Sequence, residues 1–314
     1  MSELVTVPDV TPTQDLAWSS LVSRSIAAWN DLRHDGQPVR KDLIEELLTM
    51  YDSLDEFLAE SPRLATFWFF QTRGAFMSQN RFRKWSRDAL DDYILIPAMN
   101  GYVWRTDCFF VSHFWREKDN PDPNGETLRL HQAELEAQTW SYIWVDWTCM
   151  PQHPRSPTER SYFYHGLRTM SGIIRNTGFT YFYPPFKPRL WILYEIAEYR
   201  LTCSGDIPKT PDIELFLQHI DEMIEEGVQK TLEKHHYHCY EDHDRQYLTS
   251  WLELLVLLRQ LKLDVHFVRM IMDNMTWHSS AGSLFYPGLE LELNKYKGSL
   301  VYLDNKHTFT PFPK

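Results

Sequence analysis

Three short apolar runs, each ending abruptly in polar residues, constrain the fold of this chain more than any other feature. The runs and the helical periodicities that follow them alternate along the chain at residues 107–112, 126–138, 141–146, 158–175, 178–183 and 189–202. Continuous apolar runs are typical of strands buried on both faces, and alternating strands and helices build a parallel sheet with right-handed crossovers. We therefore predict an α/β fold with a Rossmann-like parallel sheet.

The polar residues that end these runs mark the predicted ligand edge of the sheet. Ser112 and His113 end the first run, Asp146 ends the second, and Tyr183 ends the third. The carboxyl ends of parallel strands meet at one edge, where α/β proteins usually bind ligands. The next helix begins with a Trp-x-x-x-Glu pattern whose carboxylate, on Glu195, can reach that edge. The sequence therefore predicts a site built around one glutamate.

These segments resemble the TIR domain family. The sequence FFVSH at 109–113 resembles the end of the family's first strand, and IWVD at 143–146 resembles the end of its second. A longer frame at residues 112–115, 121–123 and 146–152 is similar to TIR-like proteins of fungi and algae. The resemblance covers residues 104–204, about a third of the chain.

The resemblance implies a nucleotide-binding enzyme that cleaves the nicotinamide–ribose bond of NAD, with NAD as substrate and no separate cofactor. In plant-type TIR domains the glutamate of Trp-x-x-x-Glu supports this cleavage, and Glu195 falls on that position. An ionised carboxylate near the ribose stabilises the oxocarbenium-like charge as nicotinamide leaves. Trp191 or Trp115 would pack beside a flat base. The pocket would be lined by Ser112, His113 and Asp146.

Two other functions stay open at this point. TIR modules also serve as non-catalytic self-association domains in signalling, which predicts a homo-oligomer. Alternatively, Tyr194 and Glu198 resemble the Tyr-x-x-x-Glu of tRNA-dependent cyclodipeptide synthases, whose nucleophilic serine would be Ser112. In that interpretation the basic and aromatic residues between Arg73 and Arg87 would contact tRNA phosphates.

The helix after the third run carries two carboxylates. Glu195 and Glu198 are three residues apart, so we expect them to face one site, where apolar surroundings would raise their pKa values towards general acid/base use. The alternative is a surface helix on which Glu195 forms an ion pair with Arg189 or Arg200. Ser112 and His113 are strand neighbours and should point to opposite faces of the sheet, which disfavours a serine–histidine nucleophile pair.

A run of histidines and acidic residues at 235–243 contains the densest set of potential metal ligands. If the run were helical, five of these side chains would share one face, and histidines four residues apart can bind Zn²⁺. A second ligand cluster is not evident in the sequence. We therefore predict a polar junction between helices and no metal site.

Composition predicts the partners and the location of the protein. The net charge of −11 argues against general nucleic-acid coating, because affinity for phosphates requires clustered Lys and Arg. The four cysteines are widely spaced, and no signal peptide or membrane-spanning apolar stretch is evident, so we expect a cytoplasmic protein with reduced thiols and no membrane contact.

We predict three regions that pack as one unit. They are an N-terminal helical region at 1–103, the TIR-like core at 104–204, and a C-terminal helical region with a terminal β segment at 205–314. The first dozen residues, which include Pro8 and Pro12, are expected to be a loose arm. Outside the core, the predicted helices are 15–34, 41–59, 62–88, 212–234, 244–262 and 264–277, and β-like alternation occurs at 289–293 and 299–303.

Overall fold

The structure is a computed structural model. It describes residues 12–31, 41–64, 67–98, 102–103, 107–117, 119–203, 207, 210–239, 241–278 and 280–314. The predicted N-terminal arm, the end of the first predicted helix at 32–34 and the boundaries at 103/104 and 204/205 include residues outside this description.

The central sheet has five strands in the order β2-β1-β4-β3-β5. Its strands are β1 (Phe67–Thr72), β2 (Tyr93–Pro97), β3 (Cys108–His113), β4 (Tyr142–Trp144) and β5 (Gly178–Phe182). The strand β3 pairs in parallel with both β4 and β5, as the alternating pattern predicts. The predicted α/β fold with a Rossmann-like arrangement is confirmed, and the sheet is mixed because β1 pairs antiparallel with β2 and β4.

The predicted helix at 62–88 is wrong. Phe67–Thr72 is a buried strand, followed by the short helix α4 (Arg73–Met77), and a 3-10 helix at Arg87–Asp92 leads into β2. A short run that is apolar on every side fits a doubly buried strand as well as a buried helix, so periodicity cannot separate the two. The region before residue 103 therefore contributes two strands to the central sheet and is not entirely helical.

Helices cover the sheet and extend from it. They are α1 (Pro12–Asp31), α2 (Lys41–Thr49), α3 (Leu54–Leu64), α5 (Glu126–Leu135), α6 (Asp146–Cys149), α7 (Pro157–Thr169), α8 (Ser171–Asn176), α9 (Leu190–Thr202), α10 (Pro211–Glu226), α11 (Val228–Lys234), α12 (Asp242–Gln260) and α13 (Val265–Trp277). The predicted helices at 41–59, 158–175 and 212–234 are each divided into two. The start of α7 is set by a capping box between Ser156 and Glu159.

Alternate residues of β3 belong to two hydrophobic cores, one on each face of the sheet. Phe110 packs into a large core that includes α9 and the C-terminal helices. Val111 packs into a smaller core with residues of α4 and α5. This alternation places Ser112 on the α9 face and His113 on the opposite face, as predicted.

The predicted alternation at 289–293 and 299–303 corresponds to two neighbouring strands of a separate four-stranded antiparallel sheet, whose two outer strands were not predicted. Its strands are β6 (Ser283–Tyr286), β7 (Leu291–Asn294), β8 (Ser299–Tyr302) and β9 (Asn305–Thr308), in that order. The inward residues Leu291, Leu293 and Leu300 join the large core, so this sheet packs on the helices. Among the helices of the described residues, none combines the length and apolar character that crossing a bilayer requires.

Candidate active site

The candidate site lies at the point where the order of the parallel strands reverses direction. The chain runs from β3 to β4 on one side and then crosses to β5 on the other side of β3. In open α/β sheets the crevice at the carboxyl ends of the strands beside such a reversal is the usual ligand position. Here the corresponding edge lies between the ends of β3 and β5, where Ser112 is paired with Tyr181 and His113 with Phe182.

Three side chains form a hydrogen-bonded chain at this edge of the sheet. The hydroxyl of Tyr183, just after β5, donates to Oγ of Ser112 at 2.7 Å. The Ser112 hydroxyl in turn donates to Oε2 of Glu195 on α9. Ser112 and Tyr183 are buried, whereas Glu195 is half-buried and keeps contact with solvent. The carboxyl group of Glu195 is thus held by the Ser112 hydroxyl, on a residue that is only partly buried.

The surroundings of Glu195 favour its neutral form. Burial raises the pKa of Glu195 to about 8, the Ser112 hydrogen bond opposes that rise, and the nearby charge of Asp146 adds to it. The expectation that α9 is a surface helix is wrong, because most of its residues are buried. Arg189, the proposed ion-pair partner, lies over the ring of Phe114 at 4.8 Å.

The opposite face of the strand ends holds a second polar cluster. Oδ1 of Asp146 is 2.6 Å from Nε2 of His113 and accepts a hydrogen bond from the Trp147 backbone N–H. Oδ2 of the same carboxylate accepts from Nε1 of Trp115 at 2.9 Å. Trp115 is half-buried and packs edge-on against Trp147, with ring centroids 5.3 Å apart. The cluster therefore presents a fixed carboxylate beside an accessible aromatic ring.

The expectation that Glu195 and Glu198 face one site is wrong. Glu198 is fully buried, with Oε1 at 2.5 Å from Nη1 of Arg175 and Oε2 at 2.5 Å from Nε1 of Trp251. Arg175 also binds Asp273, at 2.9 Å. Because α9 is buried on several sides, side chains three residues apart can contact different neighbouring elements. The sequence does not show which elements those are.

Tyr194 and Trp191 belong to the Glu198 side of α9. The buried Tyr194 ring packs against Trp251 and Trp191, with centroids 6.3 and 5.7 Å apart. The indole of Trp191 donates to Asp244 on α12 at 3.3 Å. Neither side chain is part of the hydrogen-bonded chain that contains Ser112. Of the predicted site residues, the structure brings together Ser112 with Glu195, and His113 with Trp115 and Asp146.

The basic residues between 73 and 87 do not form one helical face. Arg73 donates to the backbone carbonyls of Glu136 and Gln138 and lies 5.1 Å from the Trp140 ring. Most of the other basic side chains in this segment bind within the protein, in the pairs Arg83–Asp92, Arg87–Asp55, Arg87–Glu159 and Lys84–His153 carbonyl. Phosphate binding by this segment would require many of these contacts to break.

The histidine-rich run at 235–243 is a junction between α11 and α12, as the more conservative interpretation predicts. Nε2 of His235 donates to Oε2 of Glu222 at 2.8 Å, and the His235 ring stacks on His219, with ring centroids 3.6 Å apart. Among the described residues, no group of three or more His, Cys, Asp or Glu side chains is arranged to hold a metal ion.

Two contributors to the site were not assigned a role from the sequence. Tyr183 was placed at the edge, but its hydrogen bond to Ser112 depends on the register of β3 and β5. The Phe82 ring packs 5.3 Å from His113, and the incorrect helix at 62–88 hid this contact. The signal available for Tyr183 was its position directly after an apolar run.

The fold and this edge define an α/β protein with a Rossmann-like mixed sheet and a glutamate at the strand-order reversal. Comparison of the chain with protein-family models, with curated proteins and with solved structures gives no match. The resemblance to the TIR domain family therefore stays a prediction.

Proposed function

We propose that this chain is a TIR-like, nucleotide-binding enzyme of the NAD glycohydrolase type, which cleaves the nicotinamide–ribose bond. The observation that carries the proposal is the half-buried Glu195 at the β3–β5 edge, whose carboxyl group is held by the Ser112 hydroxyl. Cleavage of a glycosidic bond places positive charge on the sugar, and a carboxylate fixed beside it stabilises that charge.

The proposed reaction needs one charged group at the ribose. The bond between the ribose carbon and the nicotinamide nitrogen breaks, and its electron pair neutralises the positively charged nicotinamide ring. Water then adds to the ribose carbon and loses a proton to the solvent. The ionised carboxylate of Glu195 stabilises the positive charge that develops on the ribose in the oxocarbenium-like transition state.

The protonation state of Glu195 should depend on whether a cationic substrate is bound. With a pKa of about 8, the free protein carries Glu195 largely neutral at pH 7. A positively charged nicotinamide ring beside it favours the ionised form and lowers that pKa. Consequently kcat/KM, which reports ionisations of the free enzyme, should rise with pH up to about 8.

The neighbouring groups have supporting roles in this proposal. Burial raises the pKa of Tyr183 well above its usual value, so its hydroxyl stays protonated and orients Ser112 towards Glu195. The half-buried ring of Trp115, fixed by Asp146, offers a surface for a flat base. His113 fixes the other oxygen of the same carboxylate.

The aminoacyl-transfer alternative lacks a specific observation in its favour. It needs Tyr194 and Glu198 to hold an amino group beside Ser112, but both oxygens of Glu198 are engaged by Arg175 and Trp251. Self-association without catalysis is the alternative that the experiment must distinguish from NAD cleavage.

The test is mass spectrometry of small molecules from cells that express the wild-type chain or single variants. The proposal predicts loss of NAD with release of nicotinamide and an ADP-ribose product in wild type. Glu195→Gln keeps the size of the side chain, removes its ability to ionise and should abolish the loss. Glu214→Gln, at an exposed position on α10, is the matched control and should behave as wild type.

Two results would contradict the proposal. Equal NAD loss in wild type and Glu195→Gln would exclude the carboxylate mechanism. Unchanged NAD in cells that contain folded, assembled wild-type protein would favour the self-association module. A cyclic dipeptide that disappears in Ser112→Ala would instead support aminoacyl transfer.

A further inference from the structure

One face of α7 carries a row of exposed side chains that the candidate active site does not use. Arg160, Tyr164 and Arg168 are all exposed, and Tyr164 keeps 46% of its surface in contact with solvent. They are four residues apart, so they lie on the same face of the helix, about 6 Å apart along its axis. The row therefore places an aromatic side chain between two guanidinium groups.

The two arginines of this row have no ion-pair partner within the described part of the protein. Glu159 is the only acidic residue of α7, and its carboxylate is engaged by other groups. Its Oε1 accepts from Nε of Arg87 at 2.7 Å, and its Oε2 accepts from the Ser156 backbone N–H at 2.8 Å. On a chain with a net charge of −11, this face is therefore locally cationic.

A second accessible ring extends the row beyond Arg168. Arg168 and the half-buried Tyr296, in the turn between β7 and β8, line the same depression of the surface, which is open to solvent. The Arg168 carbonyl accepts a hydrogen bond from the Tyr247 hydroxyl at 2.9 Å, which fixes the last turn of α7 against α12. Cationic and aromatic side chains thus alternate in the order Arg160, Tyr164, Arg168 and Tyr296, and these four residues are called the α7 surface below.

The exposed ring of Tyr164 is supported from behind. It packs edge-on against the Phe163 ring, with centroids 5.6 Å apart. Cζ of Arg155 lies 3.3 Å from the centroid of the Phe163 ring, and Nε of Arg155 donates to the Pro151 carbonyl at 2.6 Å. These contacts restrict the rings before any ligand binds, so ordering them on binding costs little entropy.

We propose that the α7 surface binds single-stranded nucleic acid. Guanidinium groups bind phosphates through paired N–H donors, and exposed aromatic rings stack on unpaired bases. A single strand presents phosphates and bases in alternation, as the α7 surface presents cations and rings. This binding is separate from the proposed NAD cleavage, because it needs neither Glu195 nor the β3–β5 edge.

The two tyrosines of the α7 surface favour a single strand over other polyanions. A duplex holds the faces of its bases inside its own stack, so it can bind the two arginines but offers no base face to the tyrosines. An acidic peptide would also pair with the arginines alone. The contribution of the aromatic rings to binding therefore distinguishes a single strand from both of these partners.

The experiment measures fluorescence anisotropy of labelled oligothymidylate and oligouridylate, each of about twelve nucleotides, on titration with the full chain. We expect a Kd on the order of 10 μM at about 0.1 M salt, as for other sequence-independent contacts. Each phosphate contact with a single strand contributes about 0.7 to the slope of log Kd against log salt concentration. Arg160→Gln and Arg168→Gln should therefore each weaken binding and lower this slope by about 0.7.

Tyr164→Ala should weaken binding about five- to tenfold, because it removes a stacked base, and should leave the salt slope unchanged. The side chain of Tyr164 is exposed, so this variant should fold, and thermal unfolding checks that it does. Arg259→Gln changes an exposed arginine near the end of α12 and is the matched control. It should bind both oligonucleotides as wild type does.

Three results would overturn the proposal. The first is folded wild-type protein that binds neither oligonucleotide, even at low salt. The second is a Tyr164→Ala variant that binds as tightly as wild type. The third is a polyglutamate peptide or a DNA duplex that binds as tightly as the single strands, which would indicate a surface for polyanions in general.

Discussion

Replacing Glu195 by glutamine should remove a pH dependence of stability that the wild-type protein carries. The pKa of Glu195 is about 8 in the folded protein, against 4.5 as its ordinary value. Between these pH values the folded state binds a proton that the unfolded state has lost. The free energy of unfolding should therefore be highest below pH 4.5 and decrease as pH rises towards 8.

The size of this effect follows from the pKa difference. Each pH unit within the window lowers the free energy of unfolding by about 1.2 kcal/mol on average, so the change from pH 5 to pH 7.5 is about 3 kcal/mol. That value is an upper limit because the half-buried carboxyl group retains part of its hydration. Glutamine does not ionise and so lacks this contribution.

Urea unfolding at several pH values between 5 and 7.5 measures the effect. The difference in free energy of unfolding, Glu195→Gln minus wild type, should grow steadily in favour of glutamine as the pH rises. Glu214→Gln, whose side chain is exposed, should follow wild type throughout. Parallel curves for wild type and Glu195→Gln would refute the raised pKa and the reasoning based on it.

Three further substitutions, two of them paired with a control substitution, test other parts of the structure. Arg175→Met leaves two buried carboxylates without their cation and should cost about 3–5 kcal/mol in chemical denaturation, whereas Arg83→Met breaks an exposed ion pair and should cost less than about 1 kcal/mol. Gly178→Ala would place a Cβ atom 2.5 Å from an aromatic ring on the neighbouring strand and should cost about 1–3 kcal/mol, while Gly74→Ala, in open space on a helix, should be neutral or stabilising. Ser112→Ala removes the hydrogen bond that opposes the raised pKa of the site carboxyl group, so the pH midpoint of activity should move upwards.

The central strands were predictable because each apolar run is short, continuous and ended by polar residues. The strand β1 was not, since its aromatic run continues into basic residues that resemble one face of a helix. Its pairing with β2 and β4 is a long-range contact, and local periodicity carries no information about it. Of the four C-terminal strands only β7 and β8 were predicted, β7 because Leu291 and Leu293 alternate with exposed glutamates.

The sequence predicted which residues lie at the ligand edge of the sheet, but not which side chains contact one another there. Ser112 and Glu195 were expected at one edge, and they are in contact. The role of Glu198 was misjudged because α9 is buried on more than one side, so spacing alone did not show that its carboxylate meets Arg175. Tyr183 was visible as an edge residue, but only the register of two strands shows which side chain it orients.

The most direct test of the proposed function is the release of nicotinamide from NAD by the purified wild-type chain and by Glu195→Gln, measured in parallel across pH 6 to 9. The account predicts release by wild type, with kcat/KM rising up to about pH 8, and no release by the glutamine variant at any pH. Release by Glu195→Gln with the same pH profile as wild type would contradict it.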